Sequence, residues 1–314
     1  MPYVDLIFPE DMTGFVMPMM DVSKITRKWL DVSYTPSKPH PDRKLDIYLP
    51  ETGDGPFPTL ICIHGGAFWG GDKRDMQIGS YMEFIPQGYA VVSVEQRLCR
   101  LQADGSYSRE GEFPNPVHDY KASIRFLREN AAQYNLNPDK FVLCGGSAGG
   151  YHVVIAAASA SNEILYDNSL GYADVSGEVS GVVSWFPVGD LMLQSQFSAD
   201  NPFMELPDGT KMPLDNMADI FLGIDSRKHP NLAHFAAPEA WVTKDMPPTL
   251  LQHGAADALV PAECSRGIYA KIRDVCGDDR VIYDEFPQHT HGDPRFGSEE
   301  NLAYIAEWLK KILA

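Results

Sequence analysis

Positive charge is scarce in this chain. Its 26 lysines and arginines face 43 aspartates and glutamates, a formal net charge of -17 over 314 residues. A nucleic-acid partner needs a basic footprint, so that class is excluded. Cysteine is sparse too. Cys62, Cys99, Cys144, Cys264 and Cys276 make an odd five with no C-x-x-C pair, which argues against a disulfide framework or a structural zinc site. Long hydrophobic runs are missing: no stretch reaches the length of a membrane span. Asp5, Glu10 and Asp11 interrupt the beginning of the chain, where a secretory signal would carry its apolar run. The expectation is a protein of the reducing cytoplasm with no membrane partner. No internal repeat or low-complexity tract is visible, and nothing in the sequence specifies an oligomeric state.

What remains is ordinary globular composition, 44% hydrophobic and 22% charged, enough for one large core. Residues 45–49 alternate and stop at Pro50, as an antiparallel or edge strand does. The apolar runs 59–63, 90–94, 141–144, 179–186 and 249–253 read as buried strands of a parallel sheet, with Val281–Phe286 as the last strand. Helical patterns lie between them. Asn115 is placed to cap a helix, with Pro116 at its first position, running to about residue 135. Further helices are expected at 153–160, 262–275 and 299–314, and a short one at 24–30. The predicted class is α/β: a mostly parallel central sheet with helices on both faces. Residues 1–43 form an N-terminal segment and 44–314 the main domain. The methionine-rich run 15–20 makes residues 1–30 a candidate lid. Residues 188–246, rich in prolines, read as a small cap or insertion above the sheet.

The stretch that organises the chain is Gly145-Gly146-Ser147-Ala148-Gly149-Gly150, between an apolar strand and an Ala-rich helix. Strand, sharp turn, helix is the setting of a nucleophile elbow, in which flanking glycines remove Cβ clashes and the helix start favours negative charge. A serine hydroxyl needs a base, and that base needs a carboxylate to fix its tautomer. In such sheets the order is Ser, Asp, His, each after a strand. The acid is expected at Asp257, past the strand ending near His253; Asp190 is the second candidate. The base is expected at His291, in the loop after Val281–Phe286, preferred over His289 because Gly292 beside it permits close approach. The developing oxyanion needs backbone donors, expected from Ala148 and from Gly65 and Gly66 in His64-Gly65-Gly66-Ala67. Phe68, Trp69 and Trp185, with Phe186, lie near loop ends and are candidate substrate-binding residues.

Taken together, His64-Gly65-Gly66-Ala67, the serine turn, His253-Gly254-Ala255-Ala256-Asp257 with Val260-Pro261, and His291-Gly292-Asp293-Pro294 resemble the α/β-hydrolase fold. The narrower resemblance is to the esterase/lipase branch holding hormone-sensitive-lipase-like carboxylesterases and bacterial feruloyl and acetyl-xylan esterase-like proteins. It spans residues 44 to 314. It implies hydrolysis of carboxylic esters through an acyl-enzyme on Ser147, with no metal or organic cofactor. Gly146 departs from the acidic residue usual before the serine in the hormone-sensitive-lipase branch and tilts the likeness toward the feruloyl/acetyl-esterase group. The expected partner is a small-molecule or oligosaccharide ester. An arylformamidase-like or peptidase-like amide hydrolase on the same fold, and a non-catalytic binding protein on a hydrolase scaffold, are the alternatives.

Overall fold

The computed structural model describes residues 3–7, 17–205 and 211–314. Eight strands make the central sheet: β1 (Lys28–Ser33), β2 (Lys44–Tyr48), β3 (Phe57–Ile63), β4 (Ala90–Val94), β5 (Leu136–Gly146), β6 (Gly181–Trp185), β7 (Thr249–Gly254) and β8 (Val281–Phe286). Their spatial order is β8-β7-β6-β5-β3-β4-β2-β1. All neighbours from β8 to β4 pair in parallel, whereas β2 pairs antiparallel with both β4 and β1.

The apolar runs are continuous because both faces of the sheet are covered. In β3, Leu60 and Cys62 join one core cluster while Ile61 and Ile63 join the other. Val142 and Cys144 against Phe141 and Leu143 repeat the alternation in β5, as a period of two requires. On one face lie α1 (Asn115–Glu129), α2 (Ala148–Ala158) and α6 (Glu263–Cys276), which contribute Val117, Val154 and Ile268 to the cluster of Ile61 and Ile63. On the other lie α7 (Glu299–Ile312) and the short helical stretch Gly79–Met82, which supply Leu309, Tyr81 and Met82.

Between β6 and β7 the chain forms α3 (Leu191–Asp200), an antiparallel pair (Phe203–Glu205 with Lys211–Pro213), α4 (Met217–Leu222) and α5 (Pro230–Ala236). Met217, Phe221, Ala236 and Trp241 of this stretch belong to the same cluster as α1 and α2.

Some expectations need correction. Residues 24–30 do not form a helix; β1 occupies Lys28–Ser33 instead. Its pairing with β2 and the edge-on packing of Trp29 on Tyr134, ring centroids 5.3 Å apart, outweigh a weak local preference. Consequently β2 is antiparallel but internal, not an edge strand. Asn115 does not cap its helix: its side chain donates to the Glu110 carbonyl at 3.2 Å. That helix ends at Glu129, short of residue 135. The helix expected at 153–160 begins earlier, at Ala148, directly on the serine turn.

Of the methionine-rich stretch, Phe15 and Val16 lie outside the described residues. Met20 is buried and its N–H donates to the Arg74 carbonyl at 2.8 Å. Among the described residues no helix is long and apolar enough to cross a membrane.

Candidate active site

Three loops at the C-terminal edge of the sheet bring the candidate residues together. Ser147 sits between β5 and α2 with φ 58° and ψ -125°, a backbone that a non-glycine residue holds only when its surroundings force it. The glycines around it make the turn possible. A Cβ on Gly145 would lie 2.7 Å from the Gly149 carbonyl and 2.9 Å from that of Ile63, and one on Gly149 would run into the carbonyls of Ile63 and His64. Gly146, where the related branch carries an acid, faces the Phe186 ring: a Cβ there would stand 3.0 Å from it.

The Ser147 hydroxyl donates to His291 Nε2 at 3.0 Å, and His291 Nδ1–H donates to Asp257 Oδ2 at 2.7 Å. Asp257 is buried but fully engaged. Its Oδ1 accepts the N–H groups of Leu259 at 2.8 Å and Val260 at 2.9 Å, and its Oδ2 also lies 3.2 Å from His253 Nε2. Burial pushes this carboxyl up, yet the charge of His291 and the hydrogen bonds from His253 and His291 outweigh it. They hold Asp257 well below the ordinary carboxylate range. His253, read from sequence as a strand-end hydrogen-bonder, thus braces the acid. Its Nδ1 accepts from Ser265 Oγ at 2.7 Å and its Nε2–H donates to the Val260 carbonyl at 3.0 Å.

The rival candidates are placed elsewhere. Asp190 caps α3, accepting from the N–H groups of Met192 and Leu193. His289 lies 3.2 Å from Asp293 and packs edge-on against Phe286.

The loop after β3 bears on the expected oxyanion donors. The N–H of Gly65 is already spent on the Gln77 side chain, Oε1 at 3.0 Å, which corrects its expected role. Among the described residues, the N–H groups of Gly66, Ala67 and Ala148 have no acceptor. Gly66 has φ 109°, and Ala67 and Phe68 follow at φ 54° and 70°. Phe68 pins this strained turn. Its carbonyl accepts from Cys99 N–H at 3.0 Å and its ring stacks on Phe221 at 4.1 Å.

That packing also corrects the substrate-binding expectation. Phe68 is 2% exposed and Trp185 is 5% exposed. The ring of Trp185 stacks on Tyr81 at 4.7 Å in the core on the opposite face of the sheet. Trp69 is half-buried, its ring 6.4 Å from that of Tyr107. The ring of Phe186 lies 4.6 Å from that of His291.

Sequence reading missed His64 with Glu95, Gln77 with Asp75, and Ala67. Ala67 could have been suspected as the next residue of the His64-Gly65-Gly66 motif; Gln77 carries no local signature. His64 is fully buried and bonded to Glu95 at 3.0 Å. Desolvation would lower it, but the Glu95 charge and hydrogen bond lift it to about 9. Among the described residues no cluster of three or more histidine, cysteine or acidic side chains could hold a metal.

Comparison with known proteins fits this geometry. A chain of the truncated carbohydrate esterase from gut microbiota superposes with a TM-score of 0.74 at 23% identity, covering 93% of this chain and 98% of that one. The bifunctional GH43-CE protein of Bacteroides eggerthii gives 0.75 at 24% identity, over 92% of this chain and 35% of that one. With the mostly parallel sheet and the serine elbow, these define an α/β-hydrolase fold. Residues 45–272 match the BD-FAE family model, and the chain belongs to that family. Esterase LipQ of Mycobacterium tuberculosis is 29% identical over 266 residues, 83% of this chain and 56% of LipQ. The chain spans about half the length of the curated relatives it matches.

Proposed function

We propose that this chain is a serine carboxylesterase. His291 takes the proton of Ser147 as its oxygen attacks an ester carbonyl, and returns it to the departing alcohol. Water then repeats the sequence on the acyl-serine. Asp257 fixes the His291 tautomer and stabilises its charged form. Gly66, Ala67 and Ala148 supply N–H groups to the oxyanion. The observation that carries this reading is the row Ser147–His291–Asp257, with bonds of 3.0 and 2.7 Å on a strained elbow. The strongly acidic Asp257 fits the same role, because it stays ionised wherever His291 works.

The substrate we propose is an acetyl or feruloyl ester of a carbohydrate. The names of the gut-microbiota carbohydrate esterase and the GH43-CE protein support that class. Trp69, half-buried in the loop after β3, is the aromatic we place against the substrate, and the N-terminal segment with the 188–246 stretch is the material from which a cover for the site would be built.

The test is a panel of p-nitrophenyl esters of increasing chain length beside acetylated and feruloylated xylo-oligosaccharides, with a matching amide. Ester turnover that disappears in Ser147→Ala supports the reading. Turnover of the amide alone, or of nothing, refutes it.

A further inference from the structure

Gly65 is gripped by both of its polar backbone groups. Its N–H donates to Gln77 Oε1 at 3.0 Å, and its carbonyl accepts from His64 Nδ1–H at 2.7 Å. Each grip is backed by a buried carboxylate. Gln77 Nε2 donates to Asp75 Oδ2 at 3.0 Å, and the Gln77 backbone N–H donates to Asp75 Oδ1 at 2.8 Å. On the other side, His64 Nε2–H donates to Glu95 Oε1 at 3.0 Å.

The Gln77 amide can face only one way. Flipping it would set its carbonyl oxygen against the Asp75 carboxylate and its NH₂ against the Gly65 N–H, losing both bonds at once. It also works beside the nucleophile. A Cβ on Gly65 would lie 2.5 Å from Gln77 Oε1 and 3.1 Å from Ser147 Cβ. A planar trans peptide points its C=O and N–H in opposite directions. Fixing the Gly65 carbonyl on His64 therefore fixes the aim of the Gly66 N–H, which has no acceptor among the described residues.

We propose that Gln77 is a positioning residue of the oxyanion hole. It holds Gly65 beside Ser147, with His64 gripping the other side, so that Gly66 and Ala67 rather than Gly65 present their N–H groups to the developing charge. This rests on the esterase reading above. The loop that carries Gln77 is anchored independently, by Arg74 on Asp46 and Asp31 and by Met20 N–H on the Arg74 carbonyl. Removing the amide therefore leaves the loop in place while loosening its hold on Gly65. A misplacement of about 1 Å in a catalytic group can cost about 10²-fold in rate.

The experiment compares wild type, Gln77→Met and Gln77→Glu on p-nitrophenyl acetate, with phenylboronic acid as a tetrahedral mimic. Gln77→Met keeps the length of the side chain and removes both bonds. It is expected to melt close to wild type, to lose about 10- to 100-fold in kcat with KM within about twofold, and to weaken phenylboronic acid in parallel with kcat. Gln77→Glu can reproduce both bonds only while it shares a proton with Asp75. Its kcat relative to wild type is therefore expected to fall as pH rises from about 6 to 8. A folded Gln77→Met with kcat and boronic acid affinity within about twofold of wild type, or with a change in KM alone, overturns the proposal. Should Gln77→Met not fold, a Gln77→Glu whose ratio to wild type is flat with pH overturns it instead. Failure of the esterase reading is separate and visible in wild type, as no turnover or as turnover that Ser147→Ala retains.

Discussion

Two histidine–carboxylate pairs lie around this site, built alike and used differently. His291 bonds Asp257 through Nδ1 at 2.7 Å, and its Nε2 takes the Ser147 hydroxyl at 3.0 Å. His64 bonds Glu95 through Nε2 at 3.0 Å, and its Nδ1 donates to the Gly65 carbonyl. The His291 side chain is 18% exposed, whereas that of His64 is sealed. In each pair the carboxylate fixes one nitrogen, so the group met by the other nitrogen sets the role. Facing a hydroxyl that can lose a proton, imidazole is a base. Facing a carbonyl that can only accept, it is a cationic strut. Both carboxylates accept two backbone N–H groups, Leu259 and Val260 on Asp257 and Lys73 and Gln96 on Glu95, and Asp257 has a second histidine, His253, that helps to keep it ionised.

Breaking the first pair should have the largest effect. Ser147→Ala is expected to lower kcat/KM for p-nitrophenyl acetate by about 10⁴-fold or more with folding intact, and Asp257→Asn by about 10⁴-fold, because the asparagine selects the wrong tautomer. A residual rate within tenfold of wild type in either variant would detach that residue from the chemistry. The turn beneath the pair is tested next. Gly149→Ala puts a Cβ against the Ile63 and His64 carbonyls and should cost about 1–3 kcal/mol in urea unfolding; an unchanged midpoint would mean that the turn has room.

The second pair is broken by pH. Its histidine rises from 6.5 to about 9 on folding. The stability linked to that proton is complete below pH 6.5 and is lost as pH climbs through 9. Tm should therefore fall across that window, and Glu95→Gln should flatten the fall; the same slope in both proteins would remove the strut from the account. Asp257 works in the opposite direction. Its carboxyl is depressed from 3.8, so its contribution is present above about pH 4 and is lost as pH falls further. The smallest effect belongs to His289, which lies outside both pairs. His289→Ala, which removes a contact to Asp293 and the edge-on packing on Phe286, should leave kcat/KM within about twofold. A collapse of activity would exchange its role with that of His291.

What could be read beforehand follows the reach of each signal. The serine turn was legible because glycine, serine and two apolar periods sit within a dozen residues, and the cause is local steric conflict. Asp257 and His291 were legible through chain order, since each lies in the loop that follows a strand of one sheet. Lys28–Ser33 was misread because its strand character comes from a partner 13 residues away, Val32 against Leu45, rather than from its own pattern. Phe68 and Trp185 were misassigned for a related reason. Position near a loop end says nothing of which way a ring turns, and both rings turn into the core, onto Phe221 and Tyr81. Gln77 was invisible because Gly65, 12 residues before it, meets its side chain only after the loop folds back.

The most direct test of the central claim is the mass of the intact protein after brief exposure to a fluorophosphonate, followed by peptide mapping. A single adduct on Ser147, formed with the pH dependence of ester turnover and abolished in both Ser147→Ala and His291→Ala, is the predicted result. An adduct on any other residue, or full labelling of Ser147 in the His291→Ala protein, would contradict it.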